Sequence, residues 1–283
     1  IETPILEYAE LFSKGTGEST DIVKKEMYAF KTKGGDMLAL RPEITPSLVR
    51  AYIEHGMYNK PQPVKLWYWG PCFRHERPQA GRYRQFWQFG FEVFGEKSAV
   101  VDAQIAQIFY NILAELKIKD MVVEVNSIGD SQCRPYYKKL LSNYLKNRSM
   151  SLCQDCRVRI KENVLRVLDC KEEKCQPVKA QAPQLLDHLC EECKAHFKIF
   201  LEFLDETKIP YNLNPYLVRG LDYYTKTVFE IVSNSDKEGV PNYALAGGGR
   251  YDKLVKLLGG RDVPVCGAAA GIERIVEIMK IQD

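Results

Sequence analysis

Two arginine-bearing stretches, far apart in the chain, carry side chains suited to one polyanionic ligand. Residues 73–94, FRHERPQAGRYRQFWQFGFEVF, set Arg74, Arg77, Arg82 and Arg84 among Phe73, Tyr83, Phe86 and Trp87. Residues 217–230, LVRGLDYYTKTVFE, supply Arg219, and ALAGGGRYD follows at 244–252. A guanidinium grips phosphate oxygens through paired N–H donors, and aromatic faces stack on purines, so the combination suits a nucleoside triphosphate. Their separation in sequence means that only folding can assemble such a site. Taken singly, either string could be solvated surface charge. Arg77 and Arg84 keep that alternative, because alternate residues of a strand can face water.

The elements that must position these residues are legible in outline. Strand signals lie at 64–69, 85–94, 121–126, 225–232 and 242–247, several with the period-2 alternation of a half-buried antiparallel strand. A helix is predicted over 101–117 from Ile105, Ile108, Phe109, Ile112, Leu113 and Leu116 at 3.6-residue spacing. Residues 265–270 read as a strand passing into a helix that carries Ile272, Ile275, Val276 and Met279. Residues 131–205 differ in character. They are helical, with Tyr136, Leu140, Leu141, Tyr144 and Leu145, then Leu185, Leu186, Leu189, Cys193, Phe197, Phe200 and Leu204, and they hold seven of the nine cysteines. The expected fold is α+β, a mixed and mainly antiparallel sheet flanked by helices, with a helical module inserted between its halves. No GxGxxG follows a strand and no GxxxxGK[ST] occurs, which disfavours Rossmann and P-loop nucleotide sites. No GxSxG occurs and the four histidines, His55, His75, His188 and His196, are scattered, so hydrolase chemistry is unsupported.

Composition sets wider bounds. A chain of 283 residues can bury a large core and carry a second, smaller module, and 45% apolar content is ordinary for a globular protein. A net charge of +3 permits a nucleic-acid partner without arguing for one. No apolar run is long enough to span a membrane, and IETPILEYAELF lacks a basic-then-apolar signal pattern, so a cytoplasmic setting is expected. The first residues, IETPILE, read as the tail of a strand entering a loop.

The motif strings also resemble a known family. FRHERPQAGRYRQFWQFGFE resembles motif 2 of class II aminoacyl-tRNA synthetases in its histidyl form. LVRGLDYYT and ALAGGGRYD resemble the two signature strings of histidyl-tRNA synthetases, and GAAAGIERIV at 267–276 resembles motif 3 with Arg274 as its arginine. Four motifs in the family's order run along essentially the whole chain. The resemblance implies activation of L-histidine by ATP, carried with Mg²⁺, to histidyl-adenylate, then transfer to the 3′ end of tRNA(His). It implies a homodimer in the full-length protein. It also implies a catalytic domain over 1–130 and 206–283 and an insertion over 131–205 that clamps the tRNA acceptor arm. The family's anticodon-binding domain and the leading part of motif 1 have no counterpart in the sequence, so a catalytic-domain fragment or a short paralogue is expected.

By the same resemblance Arg74 bridges the histidine carboxylate and the α-phosphate, and Arg219 reaches that phosphate from the other side. Arg82 and Arg274 hold the γ-phosphate end, Glu76 contacts the adenine and Phe86 stacks on it. Glu92 and Tyr224 read the imidazole. Glu43 and Thr45 of RPEIT, with Gln88, form the α-amino subsite, which Tyr223 lines. Ile44 stands where many relatives have glycine, on the pocket floor. Two rival readings follow from the family's paralogues. One is the synthetase-like regulatory subunit of ATP phosphoribosyltransferase in histidine biosynthesis; the other is a synthetase-like kinase module that senses tRNA. Those paralogues typically degrade the strings that are intact here.

Three further features stand apart from the arginines. Gly247, Gly248 and Gly249 remove Cβ atoms where a ligand could approach the backbone. Cys153–Cys156 and Cys190–Cys193 are both CxxC pairs, and together they could form one tetrahedral Zn²⁺ site with Cys170 and Cys175 as alternative ligands. The competing account is helix packing, since free cysteine is among the most buried residue types. Cys72 and Cys266 lie beside the motifs without a nearby base and are assigned to packing.

Overall fold

The computed structural model describes residues 1–233 and 244–282. The chain starts with strand β1 (Leu6–Tyr8), helix α1 (Ala9–Thr16) and strands β2 (Ala29–Lys31) and β3 (Met37–Leu40). These strands form a small antiparallel sheet in the order β1-β3-β2. Helix α2 (Thr45–Glu54), β4 (Val64–Phe73), β5 (Gln85–Phe94), α3 (Ala99–Glu115) and β6 (Met121–Ser127) follow. Four helices come next: α4 (Arg134–Lys146), α5 (Gln154–Glu162), α6 (Gln176–Ala180) and α7 (Glu191–Glu206). The chain then runs through β7 (Tyr211–Leu213), β8 (Thr225–Ser233), β9 (Ala244–Arg250), α8 (Leu254–Leu257), β10 (Val265–Gly271) and α9 (Ile272–Gln282). The main sheet has the order β4-β5-β10-β9-β8-β6-β7, antiparallel throughout except for β6 against β7. The architecture is the α+β arrangement expected.

Alternation along the strands decides which face does what. On β5, Phe89 and Phe91 turn toward α3, where Phe109 stacks on Phe89 at 5.6 Å and meets Phe91 edge-on at 5.4 Å. Phe197, Phe200 and Leu204 of α7 and Ile275 and Ile278 of α9 join the same core. Small residues at Ala268 and Ala270 of β10 let these helices approach closely. The other face carries Tyr68 and Cys72 of β4, Phe86 of β5 and Ala269 of β10, packed with Ile44 and Leu48 at the start of α2. Helices thus seal one side of the sheet, and the opposite side is left to form a cavity.

Helix α3 begins two residues before the predicted span because the Ser98 side chain accepts a hydrogen bond from the Val100 amide at 3.3 Å, a normal N-cap. It ends earlier because Lys117 adopts a left-handed φ of 63°. Ile108 and Leu116, expected on its buried face, are exposed. On α4 the inward stripe is Tyr137, Leu141 and Leu145, whereas Tyr136 is 63% exposed. Strand β4 continues to Phe73 because β5 pairs with its whole length, from Val64↔Phe94 to Phe73↔Gln85. Of the strand expected at 242–247, residues 242–243 lie outside the described residues, and β9 runs on to Arg250. IETPILE is not the end of a strand entering a loop. Leu6 to Tyr8 pair with Leu40 to Leu38 and pass directly into α1. Among the described residues no helix is long and apolar enough to cross a membrane.

Candidate active site

The open face of the main sheet holds a cavity of about 230 Å³, far more than the roughly 10–15 Å³ that one water needs. Its lining includes Glu43, Ile44 and Thr45 from the start of α2, and Arg74, Glu76, Arg82, Phe86, Gln88 and Glu92 from β4, β5 and their connection. Arg219, Tyr223 and Tyr224 enter from the segment before β8, and Arg274 from α9. Every residue given an ATP or histidine role in the sequence therefore borders one space. Arg77 and Arg84 do not line it and are exposed.

The two principal arginines are each held from behind. Arg74 donates from Nε to the Pro42 carbonyl at 2.8 Å, and its guanidinium lies 5.2 Å from the Phe86 ring centroid. Glu76 sits 3.9 Å from Arg74 and 3.6 Å from Arg82, so one carboxylate orients two guanidiniums. Arg219 is paired with Glu230 of β8, and its Cζ lies 5.6 Å from the Tyr224 ring centroid. Burial alone would weaken its charge, but the Glu230 carboxylate and the two tyrosines more than offset this and raise its pKa. Buried Nε of Arg219 has no protein partner. Arg274 donates to Gly81 O at 3.0 Å and Ala244 O at 2.9 Å, tying the β4–β5 connection to the edge of β9.

Beside the arginines is a pocket of buried polar groups. Glu43 is 4% exposed and accepts from Thr16 Oγ1 and from the Tyr223 hydroxyl at 2.9 Å. Glu92 is 2% exposed, accepts from Thr45 Oγ1 at 3.0 Å, and leaves Oε2 without a protein partner. Burial pushes both carboxyls up, Glu92 well above the usual range. Burial also pushes Tyr224 up to about 12, in spite of the neighbouring Arg219. An orphaned buried oxygen costs free energy, so it marks a place where a ligand donor is gained at low cost. Glu92 reaches this position because its cross-strand partner is Gly267; a Cβ there would collide with the carboxylate.

The raised Glu92 pKa has a testable sign. A carboxyl whose folded pKa exceeds its unfolded value costs nothing below the unfolded pKa, and its penalty grows as pH rises through the interval between the two. Ligand-free Glu92→Gln should therefore show a smaller fall in Tm than the parent as pH rises from about 4, where carboxyls ordinarily titrate. Parallel curves would mean that Glu92 is not held protonated by burial.

Some of what builds the site was not visible in sequence. Glu230, Thr16 and Tyr68 were not assigned roles, although Glu230 is an acid between apolar neighbours in an alternating strand, which is a readable signal. Of the three glycines, Gly247 alone borders the cavity. A Cβ at Gly247 would come within 2.6 Å of Arg219 Nη1, so that glycine makes room for the arginine. Gly248 and Gly249 lie against the Gly267 and Thr227 carbonyls, so close strand packing is what they permit. Cys72 and Cys266 are fully buried in the core, as packing requires, and burial pushes Cys72 up to about 12.

The single four-cysteine metal set is not formed. Cys153 and Cys156 gather with Cys170 and Cys175, whereas Cys190 and Cys193 gather with Cys133 and Asp130. Each CxxC begins a different helix, α5 or α7, and each helix start is packed against different loops.

Comparison with known proteins bears on the identity of this site. The family model for histidyl-tRNA synthetase matches residues 1–275. The chain is 49% identical over 98% of its length to the histidine–tRNA ligase of Halothermothrix orenii, and 50% identical over 98% to that of Thermodesulfovibrio yellowstonii. It spans 65% and 66% of those curated relatives. The crystal structure of apo S. aureus histidyl-tRNA synthetase superposes with a TM-score of 0.78 at 36% identity, covering 100% of this chain and 65% of that one. A class II synthetase sheet, an arginine-walled cavity and a family match over nearly the whole chain agree: the chain belongs to the histidyl-tRNA synthetase family.

Proposed function

We propose that this chain binds L-histidine and ATP in the cavity, joins them as histidyl-adenylate with release of pyrophosphate, and passes histidine to the 3′ end of tRNA(His). The observation that carries the reading is the convergence of Arg74 and Arg219 on one space that also holds two buried carboxyls. In-line displacement at phosphorus needs little covalent chemistry from protein and much positioning and charge neutralisation. Arg74 would bridge the histidine carboxylate and the α-phosphate, and Arg219 would neutralise that phosphate from the other side. Arg82 and Arg274 would hold the γ-phosphate end, Glu76 the adenine edge, and Phe86 the adenine face. Mg²⁺ would accompany ATP and neutralise the outer phosphates.

Glu43, Thr45 and Gln88 would take the α-amino group, with Tyr223 lining that subsite and Ile44 on its floor. Glu92 and Tyr224 would read the imidazole nitrogens. A site whose buried polar groups need partners can reject an apolar analogue by roughly 10⁴-fold or more. The same reading divides the chain into a catalytic unit (1–130 and 206–283) and an inserted helical module (131–205), and places it in the cytoplasm, with homodimer formation in the full-length protein.

Histidine-dependent ATP–pyrophosphate exchange, run beside a tRNA charging assay, tests the reading; no exchange from folded protein would end it. Tyr224→Phe should raise the KM for histidine far more than that for ATP. Equal changes for the two substrates would remove Tyr224 from the amino-acid pocket.

A further inference from the structure

The two cysteine groups lie outside the cavity, and nothing in the proposed reaction uses them. In the first, Cys153, Cys156, Cys170 and Cys175 have their sulfurs mutually within 4.8 Å, and Cys153 Sγ lies 3.8 Å from Cys170 Sγ. In the second, Cys133, Cys190, Cys193 and an Asp130 oxygen meet the same limit, and Cys133 Sγ lies 3.8 Å from Cys193 Sγ. Asp130 Oδ1 is 3.7 Å from Cys133 Sγ and 3.9 Å from Cys190 Sγ. Tetrahedral coordination with Zn–S bonds of about 2.3 Å puts ligand sulfurs about 3.8 Å apart, and sulfur and oxygen about 3.6 Å apart. A disulfide would need sulfurs near 2.05 Å.

Backbone donors face the same sulfurs. Cys153 Sγ accepts from the Cys156 amide at 3.4 Å, Cys175 Sγ from the Cys153 amide at 3.2 Å, and Cys133 Sγ from the Asp130 amide at 3.4 Å. Cys133, Cys153 and Cys190 are the N-cap residues of α4, α5 and α7, where the helix end carries partial positive charge. Amide donors of this kind orient ligand sulfurs around a metal.

We propose that the helical segment holds two tetrahedral zinc ions, one on Cys153, Cys156, Cys170 and Cys175 and the other on Cys133, Cys190, Cys193 and Asp130. All-sulfur and sulfur-rich tetrahedral sets favour zinc, and four protein ligands leave no open position, so both ions are structural. The first ion ties α5 to the turns around Cys170 and Cys175, a stretch of short helices with little regular structure to hold it. The second ties the start of α7 to the turn after β6. That turn already touches the cavity wall: Arg134 donates to Gly129 O and to Tyr224 O, each at 2.7 Å.

Metal analysis of the purified chain should find two zinc per polypeptide. The double variant Cys170→Ser/Cys175→Ser should retain one, as should Cys133→Ser/Cys190→Ser. One zinc in the parent, or none, would overturn the proposal, as would iron with acid-labile sulfide. A site shared by the two CxxC pairs would give one zinc that survives Cys170→Ser/Cys175→Ser. Should a variant not fold, the parent refolded with cobalt keeps the test open. It should show two sets of tetrahedral ligand-field bands filling at two equivalents, one for four sulfurs and one for three sulfurs and an oxygen; a single set would count against two sites.

Discussion

Arg219→Ala should lower histidine-dependent ATP–pyrophosphate exchange by 10²- to 10³-fold, the loss of about 3 to 4 kcal/mol expected when one preorganised donor at a developing charge is removed. The guanidinium does not have to be ordered at the moment of reaction. Glu230 and the Tyr224 ring fix it, and Gly247 leaves the space it fills. Negative charge on the α-phosphate grows on the way to the transition state, so the loss should fall mainly on kcat, with a smaller change in the KM for ATP. The substitution also strands Glu230, whose carboxylate would repel the phosphate and destabilise the wall. Arg219→Ala/Glu230→Gln separates these effects: its Tm should return toward the parent's while exchange stays low. Recovery of exchange in the double variant would show that Arg219 merely screens Glu230, and parent-like exchange in the single variant would remove Arg219 from the mechanism.

The roles of Glu43, Thr45, Gln88, Glu92 and Tyr224 came only with the family resemblance, whereas the arginines of this site were legible by type, since guanidiniums set among aromatics suit a polyanion. The main strands were legible for a related reason: alternation such as FWQFGFEVF has one physical outcome, a sheet with two unlike faces. What stayed hidden depended on partners distant in sequence. Thr16 reaches Glu43 from α1, and Glu230 reaches Arg219 from β8; no spacing rule predicts either pair. Strands β2, β3 and β7 were missed, and β1 was placed too early, because three- and four-residue strands are too short to show a period. The cysteines mark the limit most sharply. CxxC spacing identified metal-competent pairs, but which pair closes on which loop is a property of helix packing, and the two pairs parted.

Asp102→Ala should be among the most destabilising single changes outside the cavity, costing about 3 to 5 kcal/mol, the range for removing one partner of a buried ion pair. Against a total of about 5 to 15 kcal/mol for a typical domain, that approaches loss of the fold. Asp102 occupies the inward face of α3, where Ile105, Ala106 and Phe109 would lead one to expect an apolar residue, and it is 0% exposed. Its carboxylate accepts from Arg250 Nε at 3.1 Å and Nη2 at 2.5 Å, and lies 2.7 Å from His196 Nε2. Helix α3, strand β9 and helix α7 are thereby joined at one point. Arg250 is 1% exposed and further donates to Glu96 O at 2.8 Å and Ser98 O at 3.0 Å, so without Asp102 its charge would keep carbonyl partners and lose its nearest fully buried counter-ion. Burial opposes ionisation of Asp102, yet His196 and Arg250 together hold its pKa below the usual carboxylate value. A folded pKa depressed in this way contributes stability that is whole above the unfolded pKa and is lost as pH falls through the folded one. Urea denaturation should then show Asp102→Ala displaced to a much lower midpoint at neutral pH, with the gap to the parent narrowing in acid. The triple variant Asp102→Leu/His196→Leu/Arg250→Met should recover most of the lost stability, because an apolar trio of similar volume avoids the desolvation of both charges. Failure of the triple variant to recover would place the cost in packing geometry at the α3–β9–α7 junction, and a loss of unfolding free energy under about 1 kcal/mol in the single variant would mean that the pair contributes no more than an exposed one.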